Sequence, residues 1–302
     1  MSDQLAVPGI YQNIPFADYN AMPYVRNSYL KKLTKGCPAA VKVEDEEKDH
    51  LTLGRAIHAL VLEGQQAFQK DFIVSPQDAP GKPTAAMLNA KKPSAESIYK
   101  IEWWSQFERM SAGKSIITYD DFVSIQEINS AVRNHPFART LLADGLSEQT
   151  AIFDAPINGE MIRCKVRPDR TPSSKTACLI DLKSTVDAGY DAFLRACYRF
   201  GYFQQAAFYI DGYNEALRVM VEEHGWSRED HPEIDAFVFI AVEKAAPFRV
   251  EVYTLMGDNS LLIRGREDYI NGLRIEQECR KNNFYPNYRD AGAQELVAFS
   301  ER

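Results

Sequence analysis

The order of helical and extended patterns along the chain predicts an α/β (α+β) fold with a central mixed β-sheet flanked by helices. Two β-hairpin patterns lie in the C-terminal half, separated by a short apolar strand and a long helix, and helical patterns come before and after them. The 302 residues are 45% hydrophobic, which is enough for one large core. No shift in composition divides the chain, so we expect a single domain over 1–302.

The N-terminal half is predicted to be mainly helical. Asn27 or Ser28 is suited to cap a first helix, SYLKKLTK, which Gly36 would end. Pro, Gly, Lys and Ala dominate 75–93, which predicts a flexible segment that could cover a groove. Apolar residues at helical spacing predict the remaining helices over 51–72, 95–110 and 119–144, the last interrupted at His135-Pro136.

The C-terminal half is predicted to contain the sheet. The segment QTAIFDAPINGEMIRCKVRPDR indicates a β-hairpin turned at Asn158-Gly159, because both residues tolerate a positive φ. The elements expected after it are a strand over 178–184, a helix over 191–217 that continues through Gly201, a hairpin over 235–243 and 248–255, and a last helix over 258–282.

The composition limits the location and the class of protein. The longest apolar runs, such as 236–242, are too short to span a bilayer, and the N-terminus lacks the pattern of a signal peptide, so we expect a cytoplasmic protein without a membrane partner. The net charge of −7 is opposite to that of a protein that coats phosphates through its overall charge. Any DNA contact would then use a local basic surface. The candidate clusters, each of which could also be an ordinary solvated face, are Arg26, Lys31, Lys32 and Lys35; Lys91 and Lys92; and Arg264, Arg266, Arg274, Arg280 and Lys281.

Several cofactor classes are excluded by absent motifs. The five cysteines are scattered without a C-x-x-C pair, so we expect reduced thiols and no iron–sulfur cluster. Histidines and cysteines also lack the spacing of a zinc site. The chain has no G-x-x-x-x-G-K-[ST], G-x-G-x-x-G or G-x-S-x-G motif, so ATP-dependent, dinucleotide-dependent and serine-hydrolase chemistry lack their usual residues.

The segment from Asp169 to Lys183 carries the most informative polar residues. On the strand CLIDLKS, Asp181 and Lys183 point to one side because side chains alternate along a strand. If the preceding hairpin strand pairs beside it, Asp169 can approach Asp181, and two carboxylates form a site for Mg²⁺ or Mn²⁺. Such an ion can activate water for phosphodiester cleavage, while Lys183 positions or deprotonates the water or neutralises the developing charge. An Asp–Lys salt bridge in the scaffold is the alternative.

Two helices offer further polar residues. Tyr202, Gln205 and Tyr209 share one face of the helix that follows the Lys183 strand, a pattern that also suits a packing face. His58 lies near the apolar face of an early helix, where it could bind metal or simply be buried. Imidazole suits Mn²⁺ better than Mg²⁺. Glu148, just before the first hairpin strand, is a further candidate acid or a solvated surface residue.

Five segments occur in a specific order: LGRAIHALVLEG, SEQTAIFD, CKVRPDR, LIDLKST and YFQQAAFY. Together, from about 24 to about 290, they resemble the PD-(D/E)xK nuclease superfamily with its restriction-endonuclease-like core. Within it they are most similar to the RecE-type exonucleases, the exonuclease VIII group that phages and prophages often encode. The resemblance implies metal ligands at Asp169, Asp181, His58 and Glu148, a catalytic lysine at Lys183, and a Q-x-x-x-Y motif at Gln205 and Tyr209.

The resemblance implies a function and an organisation. Such enzymes degrade linear double-stranded DNA from 5′ ends with Mg²⁺, for which Mn²⁺ is expected to substitute, and leave a 3′ single strand for recombination. They form ring-shaped homo-oligomers and act with an annealing protein of the RecT type. The corresponding parts would be an N-terminal arm and helix (1–47), a helical part (48–146), a catalytic core (147–290) and a tail (291–302).

Two alternatives stay open at this point. A nuclease of the same fold could act on single strands or endonucleolytically, because strand polarity depends on a groove that the sequence does not display. A protein of a different class, a non-catalytic DNA-binding or assembly protein, could retain the fold. Buried carboxylates are costly without a cation, which favours the metal-dependent nucleases.

Overall fold

The computed structural model describes residues 7–43, 49–171 and 177–288. Its helices are α1 (Phe16–Ala21), α2 (Asn27–Lys35), α3 (Asp49–His58), α4 (Gln65–Asp71), α5 (Ala85–Leu88), α6 (Ala95–Met110), α7 (Tyr119–Asn134), α8 (Pro136–Leu142), α9 (Tyr190–Phe200), α10 (Tyr202–His224) and α11 (Ser260–Asn282), with a 3₁₀ helix at Pro38–Lys42 and a π-helical turn at Ala59–Glu63. Its strands are β1 (Gly9–Tyr11), β2 (Phe72–Val74), β3 (Ser115–Ile117), β4 (Leu146–Ser147), β5 (Thr150–Ile157), β6 (Glu160–Val166), β7 (Arg170–Thr171), β8 (Cys178–Thr185), β9 (Ala236–Glu243) and β10 (Val250–Met256).

The predicted mixed sheet is present. Among the described residues it has five strands in the order β10-β9-β8-β7-β4, with β8 and β9 parallel and the other pairs antiparallel. A three-stranded sheet, β1-β5-β6, and a small parallel pair, β2-β3, lie beside it, with helices around them. The fold is thus the mixed α+β architecture that the order of patterns predicts.

Strand β8 separates two apolar clusters. Leu179 packs with the cluster of α2, α10 and α11, whereas Ile180 and Leu182 pack with the cluster of α3 and α7. Because successive side chains alternate, Asp181 and Lys183 lie on the Leu179 side, toward α10. Both faces of β8 are therefore covered, and any buried polar group on it needs a partner within the protein.

The first hairpin forms at the predicted turn but does not join β8. Asn158 and Gly159 have φ values of 48° and 83°, and β6 pairs with β5 from Glu160 to Val166. On the side of β8 opposite to β9, the neighbouring strand is instead the two-residue β7, in which Arg170 opposes Ile180. Pro168 lies between β6 and β7 and has no N–H to continue a ladder, so the chain leaves one sheet there and enters the other.

Two predicted helices are each divided at a glycine. The pattern over 51–72 forms α3, the π-helical turn and α4, with Gly64 at a φ of 89°. The pattern over 191–217 forms α9 and α10, and Gly201 between them has a φ of 65°. A residue with a positive φ ends a helix, and glycine adopts such a φ without a Cβ penalty. Apolar periodicity alone therefore overestimated the continuity of both helices.

The other helices agree with the patterns, apart from one cap. Gly36 ends α2 as predicted, but the N-cap position is Arg26, without a side-chain cap, and Asn27 instead accepts a hydrogen bond from Gln204. In 75–93 the only helix is the four-residue α5, and the Pro80 carbonyl accepts a hydrogen bond from the indole of Trp104. The flexibility of 75–93 stays a prediction. No helix in the described ranges has the length and apolar character needed to cross a bilayer.

Candidate active site

Asp181, Lys183 and Gln205 form a closed triangle where β8 meets α10. Gln205 donates from Nε2 to Asp181 Oδ1 at 2.6 Å and accepts at Oε1 from Lys183 Nζ at 3.1 Å. The third side is an ion contact of 2.5 Å between Lys183 Nζ and Asp181 Oδ2. One amide therefore holds the carboxylate and the ammonium in a fixed relation, using both its donor and its acceptor.

The break at Gly201 positions Gln205 for this contact. The backbone N–H of Gln205 donates a hydrogen bond to the Gly201 carbonyl at 3.1 Å. The glutamine therefore lies in the first turn of α10, directly over β8. Asp181 is only 1% exposed, and a carboxylate buried to that extent is tolerated when a cation and hydrogen-bond donors surround it. Lys183 and Gln205 supply both.

Asp169 reaches the same strand from the β6–β7 connection. Its Oδ2 accepts a hydrogen bond of 2.7 Å from the backbone N–H of Leu182, the residue after Asp181. Asp169 thus reaches β8 through this side-chain contact and not through pairing of the hairpin with β8. Shared coordination of one ion by Asp169 and Asp181 stays a prediction.

His58 and Glu148 join Asp169 in a group suited to a metal ion. One ligand atom from each of the three residues lies within 4.8 Å of the others, and His58 Nδ1 is 3.4 Å from Asp169 Oδ2. His58 ends α3, and Glu148 lies between β4 and β5, so three distant segments supply this group. Asp181, the fourth ligand that the resemblance implies, is not a member of this group and contacts Gln205 and Lys183 instead.

Arg167 is a part of the site that the sequence analysis did not single out. Its Nε lies 2.5 Å from Glu148 Oε2, and the Glu148 N–H donates to the Asp169 carbonyl at 3.1 Å. Glu148 itself has a φ of 56°, a left-handed conformation that aims the side chain at Arg167 and Asp169. The signal available in the sequence was an arginine two residues before Asp169 in CKVRPDR.

Two tyrosines of α10 complete the surroundings. Lys183 Nζ lies 4.7 Å from the centre of the Tyr202 ring, a cation–π contact. Burial raises the pKa of Tyr209 well above its usual value, and Tyr19, Asp181, Asp169 and Glu148 raise it further. Tyr209 is therefore a neutral phenol beside the carboxylates, as expected for a residue on the same helix face as Gln205.

The charges of the site are strongly coupled. Burial works against the charged form of His58, but Asp169 outweighs it and raises the pKa of the imidazole to about 9. Burial, and then Asp169, raises the pKa of Glu148 to about 7. Burial raises the pKa of Asp181 to about 6 despite Lys183. This concentration of carboxyl groups holds protons that a divalent cation would replace.

The residues fit a divalent cation. Among the described residues, the Lys183 ammonium is the one partner of the buried Asp181 Oδ2, and a carboxylate oxygen has a second lone pair that a cation can use. Oxygen donors suit Mg²⁺ and Mn²⁺, and an imidazole nitrogen adds preference for Mn²⁺. The five cysteines are all buried free thiols, as the sequence predicts.

The predicted basic clusters have different surroundings. Arg266 is paired with Asp211, and Arg280 with Glu276. Lys31 of α2 donates to the Phe200 carbonyl at 3.2 Å, and burial, followed by the nearby charge of Lys183, lowers its pKa to about 8. Lys31, from the cluster on α2, thus lies close enough to Lys183 for their charges to interact. A DNA surface there stays a prediction.

The chain is similar to known proteins in sequence pattern and in fold. The family described as a PDDEXK-like domain of unknown function (DUF3799) matches residues 27–297. A crystal structure of a candidate exonuclease from Eubacterium rectale is similar with a TM-score of 0.56 and 14% identity, over 96% of this chain and 98% of that chain.

The other comparisons carry no argument about function. The structure of SSO0001 has a TM-score of only 0.28 and 14% identity, over 74% of this chain and 85% of that one. No curated protein sequence matches the chain. At 14% identity the Eubacterium rectale structure shows the fold alone. The match to the family extends over nearly the whole described chain and includes the Asp-x-Lys strand and the glutamine helix, and the protein therefore belongs to the PDDEXK-like family DUF3799, within the PD-(D/E)xK nuclease superfamily.

Proposed function

We propose that the protein is a metal-dependent exodeoxyribonuclease that degrades linear double-stranded DNA from its 5′ ends. The observation that carries the proposal is the buried arrangement of Asp181, Lys183 and Gln205 next to the His58–Glu148–Asp169 group. A scaffold salt bridge would explain one acid–lysine pair. It would not explain two further acids and a histidine gathered beside that pair at the cost of desolvation.

Asp169, Glu148 and His58 would hold the cation, with Asp181 at its edge. The ion would be Mg²⁺ or Mn²⁺ and would supply an acidified water and charge relief at the scissile phosphate. Lys183 is held by Gln205 and Asp181, so its ammonium occupies a defined position from which it can stabilise charge on a phosphate oxygen. Arg167 keeps the Glu148 carboxylate turned toward Asp169.

The finer parts of the proposal rest on the resemblance of the five ordered segments to RecE-type exonucleases. These parts are the 5′ polarity, the 3′ single-stranded product used in recombination, a ring-shaped homo-oligomer, an annealing partner of the RecT type and a phage or prophage origin. The likeness of the fold to a candidate exonuclease from Eubacterium rectale supports the choice of an exonuclease.

The test is digestion of an end-labelled linear duplex with Mg²⁺, Mn²⁺ or EDTA, run with the wild type and with Asp181→Asn. We expect progressive loss of the 5′-labelled strand with either metal, no loss in EDTA, and at least about 100-fold slower digestion by the variant. Glu215→Gln is the matched control, because Glu215 is a surface carboxylate on α10 that pairs with Arg218. Its rate should equal that of the wild type.

Other substrates separate the alternatives. Digestion of covalently closed circles would exclude an exonuclease and indicate an endonuclease. Faster digestion of single strands than of duplexes would indicate that single-stranded DNA is the substrate. A non-catalytic DNA-binding protein would bind the duplex with either metal, leave it intact under every condition, and bind equally well with Asp181→Asn.

A further inference from the structure

A cavity with cationic side chains in its wall lies outside the candidate metal site. It has a volume of about 240 Å³ and is bounded by the segment between α1 and α2, by β6 and by α11. Three cationic side chains line it, those of Arg26, Lys165 and Arg280. Tyr29 contributes a phenol to its wall.

Lys165 is an unusual residue for this position. It is 1% exposed, and its ammonium donates to the backbone carbonyls of Tyr19 and, at 2.8 Å, Met22. In the described ranges it forms no ion pair with a carboxylate. Burial, and then the charge of Arg26, lowers its pKa to about 8. A buried ammonium without a counter-ion is costly, and an anion in the cavity would remove that cost.

Arg26 adds a second charge and a helix terminus. It occupies the N-cap position of α2, and its NH1 donates to Asn20 Oδ1 at 2.6 Å, a neutral partner. The first turn of α2 has neither a side-chain cap nor an acidic residue. The positive end of the helix dipole therefore lies at the cavity without the neutralising groups that helix N-termini usually carry.

Arg280 does not contribute a net charge. Its Nε lies 2.5 Å from Glu276 Oε1, and Tyr29 donates to Glu276 Oε2 at 2.5 Å. Glu276 is only 1% exposed, and each of its carboxylate oxygens contacts one of these two partners. The net positive charge of the cavity comes from Lys165 and Arg26, together with the terminus of α2.

We propose that this cavity binds a phosphate group through Arg26, the N-terminus of α2 and the field of Lys165. Oxyanions bind at helix N-termini beside arginine and lysine because N–H groups and cations point at them together. The phosphate could belong to a free phosphate compound or to the DNA backbone. The cavity is connected to the candidate active site by Tyr19, whose ring lies 4.5 Å from Lys165 Nζ and 5.4 Å from the Arg167 guanidinium.

The test measures binding without metal, so it does not depend on nuclease activity. In EDTA, inorganic pyrophosphate is titrated calorimetrically and a fluorescent 20-bp duplex by anisotropy, with the wild type, Arg26→Gln and Lys165→Met. We expect both substitutions to weaken pyrophosphate or duplex binding by about tenfold, because each removes one cationic contact. Lys165→Met preserves the buried volume. If it fails to fold, the half-buried Arg26→Gln decides alone.

Matched controls are Lys114→Met and Arg109→Gln. Lys114 also donates to a backbone carbonyl, that of Gln69 at 2.7 Å, but is exposed to solvent, and Arg109 lies on the surface of α6. Both controls should bind within about twofold of the wild type. Weaker pyrophosphate binding by the test variants would indicate a free phosphate compound as the ligand, and weaker duplex binding alone would indicate the backbone. Unchanged binding of both ligands by both test variants would overturn the proposal.

Discussion

Asp181 and Lys183 lie on the same side of β8 with Oδ2 and Nζ 2.5 Å apart, and Gln205 binds both. Asp181 is buried and Lys183 is partly buried, so each charge depends on the other for its stability and on Gln205 for its position. Substitutions in this triangle therefore affect stability and activity in ways that can be separated.

Lys183→Met should remove activity and destabilise the metal-free protein. The variant leaves Asp181 buried without its cation, which costs about 3–5 kcal/mol of unfolding free energy, and removes a charge from the reacting phosphate, which costs at least about 100-fold in kcat. Urea unfolding and duplex digestion measure the two effects. Adding Asp181→Asn should restore most of the stability but none of the activity. Equal stability of the wild type and Lys183→Met would contradict a buried ion pair.

Gln205→Ala should reduce activity more than its neighbour Gln204→Ala does. Gln205 holds Asp181 and Lys183, whereas Gln204 is also buried but bonds to Thr34 at 3.0 Å and to Asn27 at 3.3 Å. Each substitution leaves buried partners unsatisfied and should cost about 1–3 kcal/mol in stability. We expect a fall in kcat of about 10- to 100-fold for Gln205→Ala alone. Similar kcat losses in both variants would show that Gln205 has only a structural role.

His58→Ala should weaken Mn²⁺ binding more than Mg²⁺ binding, because imidazole is the softer donor of the site. Loss of one ligand should raise the dissociation constant for Mn²⁺ by about 10- to 100-fold. Calorimetric titration of both ions measures the difference. His224→Ala, on the exposed end of α10, is the control. An unchanged Mn²⁺ affinity in His58→Ala would remove His58 from the ligand set.

Metal binding should release protons and strengthen as the pH rises from about 6 to about 9. The pKa of Asp181 is raised to about 6, that of Glu148 to about 7 and that of His58 to about 9 in the metal-free protein. At neutral pH His58 is therefore charged and part of the Glu148 population is protonated, and a cation must displace these protons. Titration of Mn²⁺ at pH 7 in two buffers of different ionisation enthalpy counts the released protons. Identical heats in both buffers would refute the coupling.

Gly265→Ala should destabilise the fold, because a Cβ at this position in α11 would overlap the carbonyl oxygen of Phe203 in α10. Overpacking against backbone costs about 1–3 kcal/mol. Gly54→Ala is the matched control, since a Cβ there meets no described atom within 4 Å and alanine favours the helix by up to about 1 kcal/mol. Thermal unfolding should thus shift in opposite directions. A stabilised Gly265→Ala would show that α10 and α11 can separate at low cost.

Local patterns were sufficient for most elements but not for their interruptions. The Asn158-Gly159 hairpin, α6 and the break between α7 and α8 follow the predictions, because turn residues and helix caps act within a few residues. The continuity expected through Gly201 was wrong. A glycine inside a helical pattern can either continue the helix or end it, and the packing of Gln205 over β8 favours the second.

By itself the sequence determined that Asp181 and Lys183 share one side of a strand and that Gln205 and Tyr209 share one face of a helix, because backbone geometry sets those periods locally. Only the tertiary structure decided how Asp169 reaches β8 through the Leu182 amide, how His58 and Glu148 join it, and that Arg167 orients Glu148. These contacts join segments far apart in the chain. Their geometry depends on how the two apolar clusters pack on either side of β8, which no local pattern encodes.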